Sequence, residues 1–166
     1  MTIIKTKEFT LRPIRLTDAK GYYECHQDDE AKANFRSVPK NTDEAKKEIK
    51  ESKGNKEFAI IVNGSFAGFI NLELTKHPIY KHSGTVSYGI HKDFRGKGLA
   101  TKVLKKITSY GFNELKLKRI SGMCRTFNKA SARVLEKAGY KHEGTLHKNK
   151  FINGKYLDDM IWAKYK

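Results

Sequence analysis

Hydrophobic and polar residues follow two periods along this 166-residue chain. Alternation with a period of two predicts strands, and apolar residues spaced three and four apart predict helices. Strands are predicted at 9–15, 58–62, 66–74, 85–90, 119–124, 140–145 and 156–163, and helices at 17–27, 42–53, 99–112 and 128–138. This order is a strand, two helices, three strands, a helix, a strand, a helix and two strands, which indicates a mixed α and β fold.

Turn and cap residues agree with these boundaries. Asn63-Gly64 predicts a tight hairpin between the second and third strands, and Asn153-Gly154 is expected to turn residues 150–152 back into the last strand. Thr17-Asp18 is expected to cap the first helix, and Asn128 the fourth. Because neither a linker nor a repeat interrupts the pattern, we expect one domain over residues 1–166.

The composition bounds location and cofactors. No apolar run is long enough to span a membrane and no signal peptide is recognisable, so we expect a cytoplasmic protein. Cys25 and Cys124 are isolated, which predicts two free thiols in a reducing compartment. The six histidines show no paired metal-ligand spacing, so no metal is expected.

The formal net charge of +16 leaves three interpretations open. A positive field of this size attracts anionic ligands and acidic partners. It would also suit a module that binds DNA or RNA, or a ribosome, although aromatic residues are not interleaved with the basic ones as in a recognisable nucleic-acid module. The third interpretation is a lysine-rich surface that is merely solvated.

A glycine-rich segment, Arg95 to Thr101, lies between a predicted strand and a predicted helix. Its glycines allow a tight turn, and the first amides of the following helix form an anion site suited to phosphate. Arg95, Lys97 and Lys102 add positive charge. A P-loop is excluded because no G-x-x-x-x-G-K-[ST] run exists, and Thr101 replaces the third glycine of a dinucleotide fingerprint. The segment therefore predicts a phosphorylated ligand of another kind.

Two motifs resemble those of the GCN5-related N-acetyltransferase (GNAT) family. Arg95, Gly98 and Ala100 match the family's pyrophosphate-loop pattern [Q/R]-x-x-G-x-[G/A]. Residues 128–140 match its second motif, N-x-x-S-x-x-[apolar]-x-x-x-x-G-[F/Y]. Residues 11–14, 144–146 and 156–162 are similar to the branch that holds the ribosomal-protein N-terminal acetyltransferases, which also includes enzymes that act on antibiotics and small metabolites.

The resemblance covers nearly the whole chain and implies its fold and site. The fold would be α/β, with a mixed, largely antiparallel twisted sheet of about seven strands and about four helices. Acetyl-coenzyme A would be the co-substrate, with no metal. It would contact Asn128, Ile90, His91 and the loop residues Arg95, Gly96, Lys97, Gly98, Leu99, Ala100 and Thr101. A backbone N–H near Ile90 would stabilise the oxyanion, and Ser131 would be the general acid, unless it is only a first-turn capping residue.

The general base is the least defined part of the expected site. Glu73, at the end of the third predicted strand, is expected to face the cleft, and His82 or His147 would act through water; each is also an ordinary surface group. An α-amine, with a pKa of about 7.7–8.0, needs less help from a base than a lysine amine at about 10.4. A protein N-terminal α-amine is therefore the expected acceptor.

Alternatives to this function remain open at the level of the sequence. The acceptor could instead be a small-molecule amine such as an antibiotic, a polyamine or an amino acid. The chain could also be a basic nucleic-acid-binding module without activity, or a sensor that binds the coenzyme only. A monomer and a homodimer are both compatible with the pattern.

Overall fold

The computed structural model describes residues 2–35, 37–52, 56–75, 77–152 and 154–166, which form one mixed sheet flanked by helices. The strands are β1 (Ile4–Lys5), β2 (Thr10–Pro13), β3 (Lys56–Val62), β4 (Ser65–Leu74), β5 (Ser83–Ile90), β6 (Arg119–Arg125), β7 (Lys141–Ile152) and β8 (Lys155–Tyr165). The helices are α1 (Ala19–Glu24), α2 (Asp29–Asn34), α3 (Thr42–Glu51), α4 (Leu99–Asn113) and α5 (Lys129–Lys137).

The sheet order is β1-β2-β3-β4-β5-β6-β8-β7, and every neighbouring pair is antiparallel except β5 and β6. That pair is parallel because α4 carries the chain from the end of β5 back to the start of β6, as parallel pairing requires. The expected mixed, largely antiparallel sheet is confirmed. In the described residues it has eight strands and five α-helices, where the sequence predicted about seven and about four.

The additional elements are β1 and α2, which have two and six residues. Neither is long enough to display a period in the sequence. The predicted strand 140–145 is instead the first half of β7, which continues through two register shifts to residue 152. The predicted helix end near Lys53 and the Asn153 turn position lie outside the described residues. None of the described helices is long and apolar enough to cross a membrane.

Two apolar layers hold the helices on opposite faces of the sheet. On one face, α4 and α5 bury Leu104, Ile107 and Leu135 in a core shared with Ile70 and Ile120. On the other face, α1 and α3 cover a smaller cluster around Phe69, and the rings of Tyr22, His26 and Phe35 pack against it. The two faces are named here the α5 face and the α1 face.

Asp18 is the N-cap residue of α1, as predicted, but its side chain is engaged elsewhere. Asp18 makes no side-chain cap bond to α1. Its buried carboxylate accepts two hydrogen bonds from the Arg12 guanidinium, both 2.7 Å long, and one from the Arg15 amide at 2.8 Å. Arg12 lies on β2, so the carboxylate joins β2 to the 3₁₀ turn Leu16–Asp18, where its bond from the Arg15 amide closes a capping box.

Candidate active site

Strands β5 and β6 separate halfway along their length. Their ladder runs from Ser83 opposite Arg119 to Val86 opposite Gly122 and ends there, although both strands continue and are fully described. Beyond this point β5 keeps its bonds to β4, and β6 keeps its bonds to β8. A wedge-shaped opening therefore lies between 87–90 of β5 and 123–125 of β6.

The amide of Ile90 faces this wedge. The His91 amide donates to the Ala67 carbonyl on the β4 side, at 2.9 Å. Successive residues of a strand direct their amides to opposite sides, so the N–H groups of Ile90 and Tyr88 point away from β4 and into the opening. The wedge is therefore lined by the N–H groups of Tyr88 and Ile90.

The chain passes from the wedge through a 3₁₀ turn, Lys92–Phe94, into the glycine loop and α4. Gly96 and Gly98 have φ angles of 76° and 75°, in the left-handed region that favours glycine. A Cβ at either position would meet no atom within 4 Å, so the need for glycine is one of backbone conformation. Gly98 is the N-cap residue of α4 and offers no side-chain cap bond.

The first turn of α4 leaves amides available. Within the described residues, the amides of Leu99, Ala100 and Thr101 have no acceptor, whereas the Lys102 amide already donates to the Gly98 carbonyl at 3.2 Å. Unpaired N–H groups at a helix start, together with the helix dipole, favour an anion. These residues thus form an open anion site at the end of the wedge.

The Arg95 side chain is engaged with acidic groups of the chain itself. Its guanidinium bonds both carboxylate oxygens of Asp28, at 2.8 and 3.0 Å, and Glu30 at 3.1 Å. Its Nε donates to the Ile90 carbonyl at 2.9 Å. The pair holds the pKa of Asp28 below its usual value, and Asp28 in turn caps α2 at the Ala31 amide. Arg95 therefore fastens the end of β5 to α2.

Other loop groups are also engaged. Lys102 forms an ion pair with Glu8, and Lys97 lies 3.4 Å from the Asp93 carbonyl. His91 is largely buried, with ring nitrogens 3.5 Å from Asp93 and 3.9 Å from Glu24. The amides of the loop are therefore its main open anion ligands.

The second motif forms the opposite wall of the wedge. Asn128 caps α5 by accepting from the Ser131 amide at 2.9 Å, as the sequence predicted. The Ser131 hydroxyl points away from the cap, and its Oγ lies 2.9 Å from the hydroxyl of Tyr88 on β5. The Ser131 side chain is therefore directed at the wedge, beside β5, the strand that carries the Ile90 amide.

Sequence reasoning missed two neighbours of Ser131. Tyr88 lies on the same strand face as Val86, and the period of two could have placed it there. Cys124 of β6 is buried and free. Burial raises the pKa of its thiol, although hydrogen bonds with Ser131 and Trp162 act in the opposite direction. Cys124 is thus a thiol and not a reactive thiolate.

The structure places two of the three proposed bases, Glu73 and His82, away from the wedge. Glu73 is exposed and lies opposite Thr85, where β5 and β6 are still paired, so it stands before the opening and not at it. His82 precedes β5, at the end of that strand remote from Ile90. His147 is exposed and binds Asp158 at 2.8 Å.

A carboxyl group and a side-chain amide lie on the α1 face, in line with the free part of β5. Glu57 is opposite Asn71, which is opposite Ser87 at the free part of β5. Glu57 Oε2 and Asn71 Oδ1 are buried acceptors without a partner among the described residues, and burial raises the pKa of Glu57. Across the wedge, Met123 and Leu146 are 46% and 39% exposed.

Comparison with known proteins agrees with this geometry. The structure superposes on a GNAT-family acetyltransferase from Bacillus anthracis with a TM-score of 0.85 at 24% identity, over 99% of this chain and 98% of that one. It superposes on RimL, a ribosomal α-N-protein acetyltransferase, with a TM-score of 0.86 at 19% identity, over 99% and 98% of the two chains. That RimL structure contains coenzyme A in a disulfide with one of its own cysteines. At these identities the likeness shows the fold.

Sequence relatives lead to the same family. The chain is 41% identical over 78 residues to Probable N-acetyltransferase YjcK of Bacillus subtilis, covering 47% of this chain and 43% of that one. It is 30% identical over 101 residues to the spermidine N(1)-acetyltransferase of Escherichia coli, covering 61% and 53%. Such matches span about half the length of these relatives. A sequence model of the acetyltransferase (GNAT) domain matches residues 8–141, and the chain therefore belongs to the GNAT family of acetyltransferases.

Proposed function

We propose that this protein transfers an acetyl group from acetyl-coenzyme A to a primary amine, by direct attack of the amine on the thioester. The observation that carries the proposal is the wedge between β5 and β6, which leads without interruption into the amide-lined start of α4. An extended arm with amides at one end and a pyrophosphate at the other matches both parts. Enzymes of the GNAT family use acetyl-coenzyme A.

The coenzyme would bind as an added strand. Its pantetheine amides would pair with the free edge of β5, as peptides do when they extend a sheet. Its pyrophosphate would accept from the amides of Leu99, Ala100 and Thr101, with Lys97 close by. Gly96 and Gly98 allow this close approach. Asn128 and His91 would line the arm at the two walls of the wedge.

The chemical step divides between two groups. The amine attacks the thioester carbon, and the oxygen that becomes negative would accept a hydrogen bond from the Ile90 amide. The carbon–sulfur bond then breaks, and the Ser131 hydroxyl would give its proton to the departing sulfur. An acetyl-cysteine intermediate is disfavoured because Cys124, whose pKa is raised by burial, lacks the thiolate form that attack requires.

We infer that the acceptor is an α-amine of a protein or peptide. Such an amine, with a pKa near about 7.7–8.0, is partly neutral at pH 7. It therefore needs little help from a base, and Glu73 and His82 lie at the paired end of β5, away from the wedge. The exposed Met123 and Leu146 on the α1 face offer apolar contact to a peptide's first side chain. The net charge of +16 favours an acidic acceptor.

A small cationic amine is the second candidate, and the carboxylates of the α1 face favour it. Among the described residues, Glu57 and Asn71 present buried oxygens without donors. Glu48 lies near Glu57 and is bonded to Tyr22 at 3.3 Å and Ser37 at 3.0 Å. Buried acceptors of this kind gain from a donor such as an ammonium group. Spermidine is the substrate named for one of the sequence relatives.

A thiol-release assay with acetyl-coenzyme A tests the proposal. The acceptors are an acidic peptide with a free N-terminus, the same peptide with a blocked N-terminus, spermidine and an aminoglycoside. We expect turnover of the free peptide and none of the blocked one. Turnover of spermidine with the free peptide untouched would assign the acceptor to the second candidate, and no thiol release with any amine would overturn the activity.

A further inference from the structure

We propose that Tyr88 is a positioning and proton-relay residue for Ser131, a proposal that rests on the function above. In this relay Ser131 passes its hydroxyl proton to the sulfur that leaves, and Tyr88 passes its own proton to the Ser131 oxygen. The carbon–sulfur electron pair stays on sulfur. Tyr88 regains a proton from solvent, which balances the proton released when the acceptor amine becomes an amide.

The position of Tyr88 carries the proposal. It is the second residue after Val86, where the ladder between β5 and β6 ends, and the second before Ile90. Its backbone lines the wedge, and its side chain lies on the α5 face, opposite Ile70 of β4. The ring therefore crosses from β5 to the first turn of α5 at the place where the two strands have separated.

The hydrogen bond between the hydroxyls has a definite consequence. Tyr88 Oη lies 2.9 Å from Ser131 Oγ and 3.5 Å from the Ser131 carbonyl, so the hydroxyl–hydroxyl contact is the effective one. When Tyr88 donates in this bond, the single hydrogen of Ser131 does not point at Tyr88, and the nearest side-chain group left to it is the Cys124 sulfur on the other side of the wedge. The cap on the Ser131 amide by Asn128 fixes the backbone from which that hydrogen points.

The chemistry of the two hydroxyls favours this direction. Burial raises the pKa of Tyr88 to about 12, with Cys124 adding to the rise and the Ser131 bond opposing it. Tyr88 is therefore protonated at neutral pH, and it is a stronger acid than an aliphatic alcohol. A serine that gives up a proton gains from a neighbour that replaces it at once. Two other titratable groups interact with Tyr88. Cys124 raises the pKa of Tyr88, and Tyr88 raises the pKa of Tyr140.

Tyr88→Phe removes the hydroxyl and keeps the ring. We expect kcat to fall about threefold to tenfold, the effect of losing one hydrogen bond to a reacting group, while KM for acetyl-coenzyme A stays within about twofold. In a Ser131→Ala background the same change is expected to cost nothing further, because the two hydroxyls act in one chain.

Tyr140→Phe is the matched control. Tyr140 is a buried tyrosine whose hydroxyl bonds Thr108 at 2.7 Å. Its removal is expected to lower the melting temperature and leave kcat unchanged. A loss of kcat equal to that of Tyr88→Phe would mean that any hydroxyl lost from this core has the effect, and would overturn the relay.

A proton inventory of kcat in mixtures of light and heavy water separates a relay from mere packing. With chemistry rate-limiting, two protons in flight give a curved plot for the wild type and for Tyr140→Phe, and Tyr88→Phe gives a straight one. A curved plot for Tyr88→Phe, or losses that multiply in the double variant, would refute the proposal. The rate of the wild-type protein with amines tests the proposed function separately. If no amine is acetylated, the kcat ratios of the variants can be measured instead on the hydrolysis of acetyl-coenzyme A.

Discussion

In the glycine loop, glycine is required for its backbone conformation and not because a side chain would lack space. Gly98 has a φ of 75° and open surroundings, so a larger residue fits sterically but strains the backbone. The side chain that it adds would stand at the helix start, where the anion must approach. Glycine is therefore required for a backbone conformation that leaves the first amides of α4 open to an anion.

Gly98→Glu is expected to abolish measurable coenzyme A binding, because it places a carboxylate against the amides of α4. Gly64→Glu is the control, since Gly64 has a φ of 79° and equally open surroundings in the hairpin between β3 and β4. Both changes cost about 1–2 kcal/mol of stability through the left-handed backbone, and only the first removes binding. Isothermal titration calorimetry on the folded variants decides; equal affinities would refute the loop assignment.

Ser131→Ala is expected to lower kcat about 10²-fold, because it removes the proton donor for the sulfur, with coenzyme affinity retained. Ser83→Ala is the control, because the Ser83 hydroxyl bonds the Tyr80 carbonyl, at the opposite end of β5. Steady-state kinetics with chemistry rate-limiting are the measurement. A turnover within about twofold of wild type would reduce Ser131 to a first-turn helix residue.

At the scale of elements, one buried ion pair fixes the far wall of the wedge. Arg125 of β6 and Asp159 of β8 are 4% and 1% exposed and lie 2.7 Å apart. Asn149 and Lys150 of β7 bond the second oxygen of Asp159, at 2.7 and 3.4 Å. Three strands thus meet at one carboxylate, whose pKa the hydrogen bonds of Asn149 and Arg125 lower against the effect of burial.

Asp159→Ala is expected to cost about 3–5 kcal/mol in the free energy of unfolding, because it leaves Arg125 buried without a counter-charge. Asp43→Ala, which breaks an exposed pair with Lys46, is expected to leave the urea midpoint unchanged. Because the pKa of Asp159 is depressed in the folded state, its contribution persists at neutral pH and is lost only as the pH falls through that lowered value. Equal urea midpoints for the two variants would contradict the assignment.

The sequence predicted the long elements and the two motifs that line the wedge, because their periods and caps are local signals. Asn128 and Gly98 occupy the positions expected of them. The engagement of Arg95 with Asp28 was not predictable, since it joins residues 67 positions apart. The contact of Tyr88 with Ser131 was missed for the same reason, and α2 was missed because six residues are too few to show a helical period.

At the scale of the whole molecule, the net charge is expected to govern how fast an acceptor arrives. A surface of +16 attracts an acidic peptide from a distance, while the carboxylates of the α1 face act only at close range. Long-range attraction is screened by salt, and short contacts are not. The contribution of the net charge to acceptor binding can therefore be separated from that of the carboxylates by its dependence on salt.

The catalytic efficiency toward an acidic N-terminal peptide is expected to fall severalfold as ionic strength rises to about 0.15 M, where the Debye length is about 8 Å. A neutral peptide of the same length is the control and should change little. Steady-state kcat/KM over a salt series is the measurement. Equal salt responses of the two peptides, or efficient turnover of spermidine only, would contradict an acidic acceptor.

The separation of β5 from β6 also has a consequence for the stability of the protein when no coenzyme is bound. Two strand edges with unpaired amides face each other inside the sheet, and such edges are templates for pairing with foreign chains. The coenzyme, lying between them, would act as the missing strand. The empty protein is therefore expected to aggregate on warming and to exchange amide hydrogens rapidly at 87–90 and 123–125. Coenzyme A should suppress both the aggregation and the rapid exchange, so that the co-substrate also protects the folded sheet.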